Sequence, residues 1–251
     1  MAVVVTRPQP EAARWAARLR ESGVEAIVLP LLAIGAPPDM QGLRRAASAA
    51  GDYRAVMFVS ANAVQGFFAL RPDFAGPRAW APGPATRDAL VAAGVPFARI
   101  DAPADDAEQF DSESLWQQVG AQLHRGDRLL LVRGADAQGR SQGREWLAQQ
   151  LAARGVLVET VVAYCRALPV WSKEEHAQAT GCATDGSLWL FSSSEAAGNL
   201  AQLLPQQDWS RARALATHPR IAEAVRALGF ASVVACRPGY EEVLASIECH
   251  R

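Results

Sequence analysis

Four kinds of segment occur once along this chain and then recur in the same order, and few folds can accommodate that arrangement. The first kind is a strand, helix and strand: Val3 to Val5, a helical stretch from Pro10 to Ser22 with Ala12, Trp15, Ala16 and Leu19 on one face, a stop at Gly23, then "AIVLP". It returns as "LLLVR" (129–133), a helix carrying Leu147 and Leu151, Gly155 and "VLVETVVAY". The second kind is "VMFVSANAV" (56–64), matched by "WLFSSSEAA" (189–197) through Phe58/Phe191, Ser60/Ser193 and Ala63/Ala196. The third is "RAWAPGPATRDALVAAGV" from Arg78, matched by "RALATHPRIAEAVRALGF" from Arg213, each reading strand, Pro-bearing turn, helix and Gly stop. The fourth is a closing helix, "DSESLWQQV" and then "GYEEVLASI".

Short β-branched runs alternating with Ala/Leu/Arg-rich helical stretches predict parallel strands joined by crossover helices, an α/β fold. A repeat near half the chain in length excludes a solenoid, whose units run roughly 20 to 50 residues. Two homologous doubly wound domains are expected. With 251 residues, half of them hydrophobic, the chain can fill two ordinary cores. A cut near Asp127 would give contiguous halves. However, "PLLAIGAPPD" (30–39) and "TVVAYCRALP" (160–169) are both extended and Pro-ended, and two such crossings suggest a discontinuous domain.

Composition narrows the function classes. Net charge is −1, and Lys173 is the sole lysine, with no basic surplus or stripe of the kind nucleic-acid binding needs. The start "MAVVVTRPQP" enters a strand pattern without a charged lead or cleavage site, and no apolar run approaches membrane-spanning length; a soluble cytoplasmic protein is expected. Cys165, Cys182, Cys236 and Cys249 form no CxxC pair, and the four histidines show no ligand spacing, so neither a disulfide framework nor a metal site is expected. Gly134, Gly139, Arg140 and Ser141 spell a phosphate-binding loop with arginine in the lysine place. Arginine does not thread such a nest as lysine does, and no partner strand ends in a Mg²⁺-binding aspartate, which weighs against a nucleotide site. The acidic run 101–113 reads as a solvated face.

The ordered set "VVVTRP", "GVEAIVLPLLAI", "FVSANAV", "PGPATRDALVAAG", "LLLVRG", "VETVVAYCR", "LFSSSEAA" and "HPRIAEAVRALGF" resembles the uroporphyrinogen-III synthase family over essentially the whole chain. The resemblance implies two flavodoxin-like doubly wound parallel-sheet domains joined by two extended linkers. One is built from 1–33 with 170–251 and the other from 38–163, with linkers at about 30–39 and 160–169. It implies a cyclising lyase that closes hydroxymethylbilane to uroporphyrinogen III, inverting the terminal pyrrole ring with loss of water and using no cofactor. The partner is then the small tetrapyrrole substrate, with neither nucleic acid nor membrane. Handing over an unstable linear intermediate would suit a transient contact with hydroxymethylbilane synthase, although no exposed apolar stripe argues for one, and a monomer is the default.

In open α/β sheets ligands lie beyond the carboxyl ends of strands, where helix N-termini favour anions such as the substrate's carboxylates. The turns there supply the substrate-binding candidates Thr6, Arg7, Ser60, Asn62, Thr86, Arg133, Ser193, Ser194, His218 and Arg220. Helix capping by Ser60 and Ser193, and ion pairing by the arginines, are the plainer alternatives. Tyr164 stands where the family pattern has a tyrosine facing the cleft, which makes it the catalytic candidate as proton donor to the departing hydroxyl; a packing role is the alternative. Ile221 occupies a place where relatives carry threonine, and this leaves His218 either to substitute for that hydroxyl or to cap a helix. A non-catalytic two-domain binder of a small acid and a phosphate-responsive receiver-like module remain as other classes. The receiver would need clustered aspartates where Thr6, Arg7, Ser60 and Asn62 stand.

Overall fold

A computed structural model describes residues 1–74, 76–104, 111–136, 138–140 and 145–250. In chain order the elements begin with β1 (Val3–Val5), α1 (Glu11–Glu21), β2 (Ala26–Val28), β3 (Ala33–Gly35), α2 (Met40–Ser48), β4 (Ala55–Phe58), α3 (Ala61–Phe68), β5 (Arg78–Trp80) and α4 (Pro84–Ala92). There follow β6 (Ile100–Asp101), α5 (Ser112–Val119), β7 (Arg128–Ala135), α6 (Glu145–Ala153) and β8 (Leu157–Ala167). The last part holds α7 (Lys173–Cys182), β9 (Leu188–Phe191), α8 (Ser194–Leu203), β10 (Arg213–Ala216), α9 (Pro219–Arg226), β11 (Ser232–Ala235) and α10 (Tyr240–Glu248).

The chain divides into two compact units, Met1–Ala33 with Ala167–Arg251, and Ile34–Arg166. Among the described residues, the first unit holds a five-stranded sheet in the order β11-β10-β9-β1-β2, with every neighbouring pair parallel. Counted along its own chain this is the flavodoxin order, and the order reverses between β1 and β9. Both faces of this sheet are apolar, because a parallel sheet is covered by helices on each side. Val4, Trp189 and Phe191 face one core, and Val3, Val5, Leu188 and Leu190 face the other.

Among the described residues, the second unit holds six strands in the order β3-β8-β7-β4-β5-β6. Its β7-α6-β8 corresponds to β1-α1-β2, while β4, β5 and β6 correspond to β9, β10 and β11. The same sheet order is therefore reached by a chain that starts at a different strand. Val56, Phe58, Leu130 and Val132 point to one core and Ala55, Met57 and Leu129 to the other.

Residues 160–169, read from the sequence as a linker, run as strand through Ala167, and within 30–39 the stretch Ala33–Gly35 is a strand beside β8. The physical reason is that β8 continues its ladder on β7 as far as Cys165 opposite Ala135. An extended segment placed beside an open strand edge satisfies its backbone by pairing.

β8 also departs from strict alternation. Arg133 lies opposite Val162 but Gly134 lies opposite Tyr164, so Ala163 is an extra residue on β8. Such a bulge re-aims the side chain that follows it. Val161, Ala163 and Tyr164 consequently all join the core beneath α3.

Candidate active site

Helix α3 begins where its sequence allows a cap. Ser60 has extended backbone, with φ −163° and ψ 164°, and its Oγ accepts from the Ala63 N–H at 3.2 Å. That same Oγ lies 3.1 Å from the Tyr164 hydroxyl. Tyr164 is only 6% exposed and its ring lies flat against Gly134 of β7, where a Cβ would collide with Cζ, Cε1 and Cε2. Gly134 is thus the one residue type that lets a phenol lie across the strand at this point.

The pair sits at the carboxyl ends of β4 and β7, where the second unit's strand order reverses. Arg133 is half-buried there. Desolvation draws its guanidinium below the ordinary arginine value, Arg166 adds like-charge repulsion, and Tyr164 offsets part of this. An anion favours such a concentration of positive charge.

Beside Tyr164 lies a pocket of about 220 Å³ walled by β3, α3 and β8. Asn62, Gln65 and Gly66 of α3, and Ala69 at its C-terminal cap, face it, with Ala163 and Tyr164 opposite. Sequence reasoning picked out Asn62 and Tyr164 and missed the others. For Gln65, Gly66 and Ala69, the spacing of three, four and seven residues from Asn62, which places them on one helical face, is the signal that could have found them.

The equivalent positions of the first unit are also set by local chemistry. Thr6 is buried and donates its hydroxyl to the Leu190 carbonyl at 2.7 Å, joining the ends of β1 and β9. Arg7 pairs with Glu11 at 2.6 Å and lies over the Trp15 ring at 4.2 Å. Ser193 caps α8 by accepting from the Glu195 N–H at 3.1 Å, and Ser194 is the helix's first residue. His218 caps α9, its Nδ1 accepting from the Arg220 N–H at 3.1 Å. Arg220 is exposed, and Ile221 is buried in the core. Thr86, in the second unit, is buried in the first turn of α4.

The loop resembling a phosphate nest is occupied by its own side chain. Asp136 accepts from the backbone N–H groups of Gln138 and Arg140 and from Arg140 Nε, so these donors are already engaged; residue 137 and Ser141 lie outside the described residues. In the acidic run, Asp101 forms a two-pronged pair with Arg78 and Asp111 caps α5, while 105–110 lie outside the described residues. Among the described residues no group of three His, Cys, Asp or Glu could hold a metal ion, and no helix is long and apolar enough to cross a membrane.

Fold and site together define an α/β protein of two flavodoxin-like units, with polar and cationic side chains gathered at the strand ends where each sheet reverses its order. A family model described as uroporphyrinogen-III synthase HemD matches residues 13–245. The uroporphyrinogen-III synthase of Synechococcus elongatus is 30% identical over 217 residues, which cover 83% of this chain and 77% of that one. In fold, the chain is similar to uroporphyrinogen-III synthetase from Helicobacter pylori, with TM-score 0.59, 15% identity and coverage of 100% and 99% of the two chains. It is likewise similar to a substituted uroporphyrinogen III synthase from Thermus thermophilus, with TM-score 0.53, 18% identity and coverage of 100% and 98%. The chain belongs to the uroporphyrinogen-III synthase family, and it is an enzyme, a cyclising lyase of tetrapyrrole biosynthesis.

Proposed function

We propose that the chain closes hydroxymethylbilane to uroporphyrinogen III with inversion of the terminal ring, and that Tyr164 gives the proton with which the substrate's hydroxyl leaves as water. The observation that carries the catalytic assignment is the Tyr164 hydroxyl, fixed 3.1 Å from Ser60 at the start of α3, at the strand-order reversal of its sheet.

Proton donation to the hydroxyl breaks the carbon–oxygen bond and leaves a cationic azafulvene. Attack by the substituted carbon of the terminal ring on this azafulvene forms a spiro centre. The original methylene bond at that carbon then breaks, leaving an azafulvene on the neighbouring ring, and the terminal ring's free α-carbon attacks it, so that the ring is turned round. Closure ends with loss of one proton from a ring carbon, which the phenolate can take back, so the cycle balances with water as the sole other product. The uncatalysed chain closes without inversion, so much of the enzyme's task is holding one conformer, and orientation of this kind is worth on the order of 7 to 11 kcal/mol.

Acetate and propionate arms are met in the second unit by Asn62 and Arg133, with Thr86 supporting its turn from within. In the first unit the corresponding positions are Arg7, Ser193, Ser194 and Arg220, with Thr6 and His218 holding the strand end and the helix start. Helix N-termini favour carboxylates at these places. The enzyme works as a cytoplasmic monomer that receives its substrate through transient contact with hydroxymethylbilane synthase.

The test is incubation with enzymically generated hydroxymethylbilane, followed by separation of the product isomers. Type III product is expected, and type I alone would end the assignment. Tyr164→Phe keeps the ring over Gly134 and removes only the hydroxyl. It should fold normally and turn over roughly 100-fold more slowly or worse, the usual worth of a general acid; unchanged turnover would refute the donor role.

A further inference from the structure

We propose that Ser60 is a positioning residue for the Tyr164 proton: it donates its own hydroxyl hydrogen to Tyr164 Oη, leaving the phenol's proton directed at substrate and steadying the phenolate once that proton is gone. The proposal rests on Tyr164 being the donor.

The hydrogen-bond inventory carries the inference. A serine hydroxyl has one hydrogen to give and two lone pairs to offer. Ser60 Oγ already accepts from the Ala63 N–H at 3.2 Å and has Tyr164 Oη at 3.1 Å. Were the phenol to donate to Ser60, its proton would be held on the serine, and delivery to substrate would first break that bond. With Ser60 donating, the phenol keeps its proton for another acceptor.

Two features favour the second arrangement. The Ala63 N–H belongs to the positive end of α3, and a hydroxyl oxygen that accepts from such a group becomes a stronger donor in turn. As charge grows on Oη, the serine bond becomes charge-assisted, and so strengthens along the reaction rather than before it.

The internal repeat supplies a comparison within the molecule. Ser193 fills the same place before α8 and caps it through the Glu195 N–H. Tyr240, the tyrosine of the same unit, bonds Ser22 instead, and among the described residues no phenol is bonded to Ser193. Capping therefore needs no phenol, and the Ser60–Tyr164 bond is an addition made in one copy of the motif.

The experiment measures kcat, KM and unfolding midpoint for Ser60→Ala, Ser60→Asp, Ser60→Thr, Tyr164→Phe and the double variant Ser60→Ala/Tyr164→Phe. Ser60→Ala should lose about 10- to 100-fold in kcat at unchanged KM, the worth of one hydrogen bond to a charged group. Ser60→Asp keeps a good helix cap but has no hydrogen to donate, so it should show the same kcat loss at native stability. Ser60→Thr should restore turnover. In the Tyr164→Phe background, Ser60→Ala should cost nothing further. Losses that multiply in the double variant, or a Ser60→Asp protein with normal kcat, would overturn the role of Ser60. A fully active Tyr164→Phe protein would instead overturn the donor reading beneath it.

Discussion

Gly134→Ala isolates the cradle that holds Tyr164. The new Cβ would stand 2.7 Å from Cε2 and 2.8 Å from Cε1 of the ring, and against Cζ. Carbon pairs rest at about 3.5–4.0 Å, so the ring must retreat by about 1 Å. It has little room to do so, being 6% exposed and packed in the core of Phe58, Val132 and Val161. Where that retreat is directed away from Ser60, now 3.1 Å from the hydroxyl, it carries the phenol beyond hydrogen-bond reach. Gly134 is not among the glycines with positive φ, so alanine meets no backbone strain there and the ring accounts for the whole cost. Overpacking of this kind costs about 1–3 kcal/mol, and a misplacement of about 1 Å can cost on the order of 100-fold in rate. Urea unfolding and turnover with separation of type III from type I product would measure the two effects together. In a Tyr164→Ala background, where the ring is gone, the same change should be neutral or mildly stabilising. A Gly134→Ala protein with native stability and native turnover would refute the cradle.

Gly66→Ala should destabilise by about 1–3 kcal/mol or more, because its Cβ would run into the backbone carbonyl of Ala163 and push α3 off β8. Unlike the Gly134 clash, no side-chain truncation should rescue it, and rescue by trimming a neighbour, read from unfolding midpoints, would contradict this. Tyr53 gives a pH-dependent prediction. Burial, and then donation of its hydroxyl to Glu159 at 2.5 Å, push the phenol from its ordinary 10.0 up to about 12. The folded state holds this proton more tightly than the unfolded chain, so the stabilisation is complete below pH 10.0 and is lost as pH rises through about 12. Urea midpoints across that interval should fall more steeply for the natural protein than for Tyr53→Phe; parallel curves would rule out the linkage.

The parts of this molecule that are legible in its sequence are those set by neighbours along the chain. Val3–Val5 and Leu188–Phe191 announce strands buried on both faces, and Ser60, Ser193 and His218 stand where helix starts want an acceptor. The Asn62, Gln65, Gly66 and Ala69 face was also present as a helical spacing, but its meaning depends on β3 and β8 lying opposite. The near-phosphate loop shows the converse. Its glycines spell a nest, and only the folded turn shows Asp136 filling it.

The sequence by itself determined that two copies of one α/β pattern are present, because hydrophobic period, caps and turn residues act over a few residues. Tertiary structure decided how the copies are assembled: β1 takes β9 as its neighbour, pairing Val3 with Leu188, and β7 takes β4. It also decided the one-residue bulge that puts Ala163 and Tyr164 in the same core and brings Tyr164 to Ser60, 104 residues away. Alternation along a strand predicts opposite faces for those two residues, and only pairing with the neighbouring strand, which no local pattern encodes, reverses it.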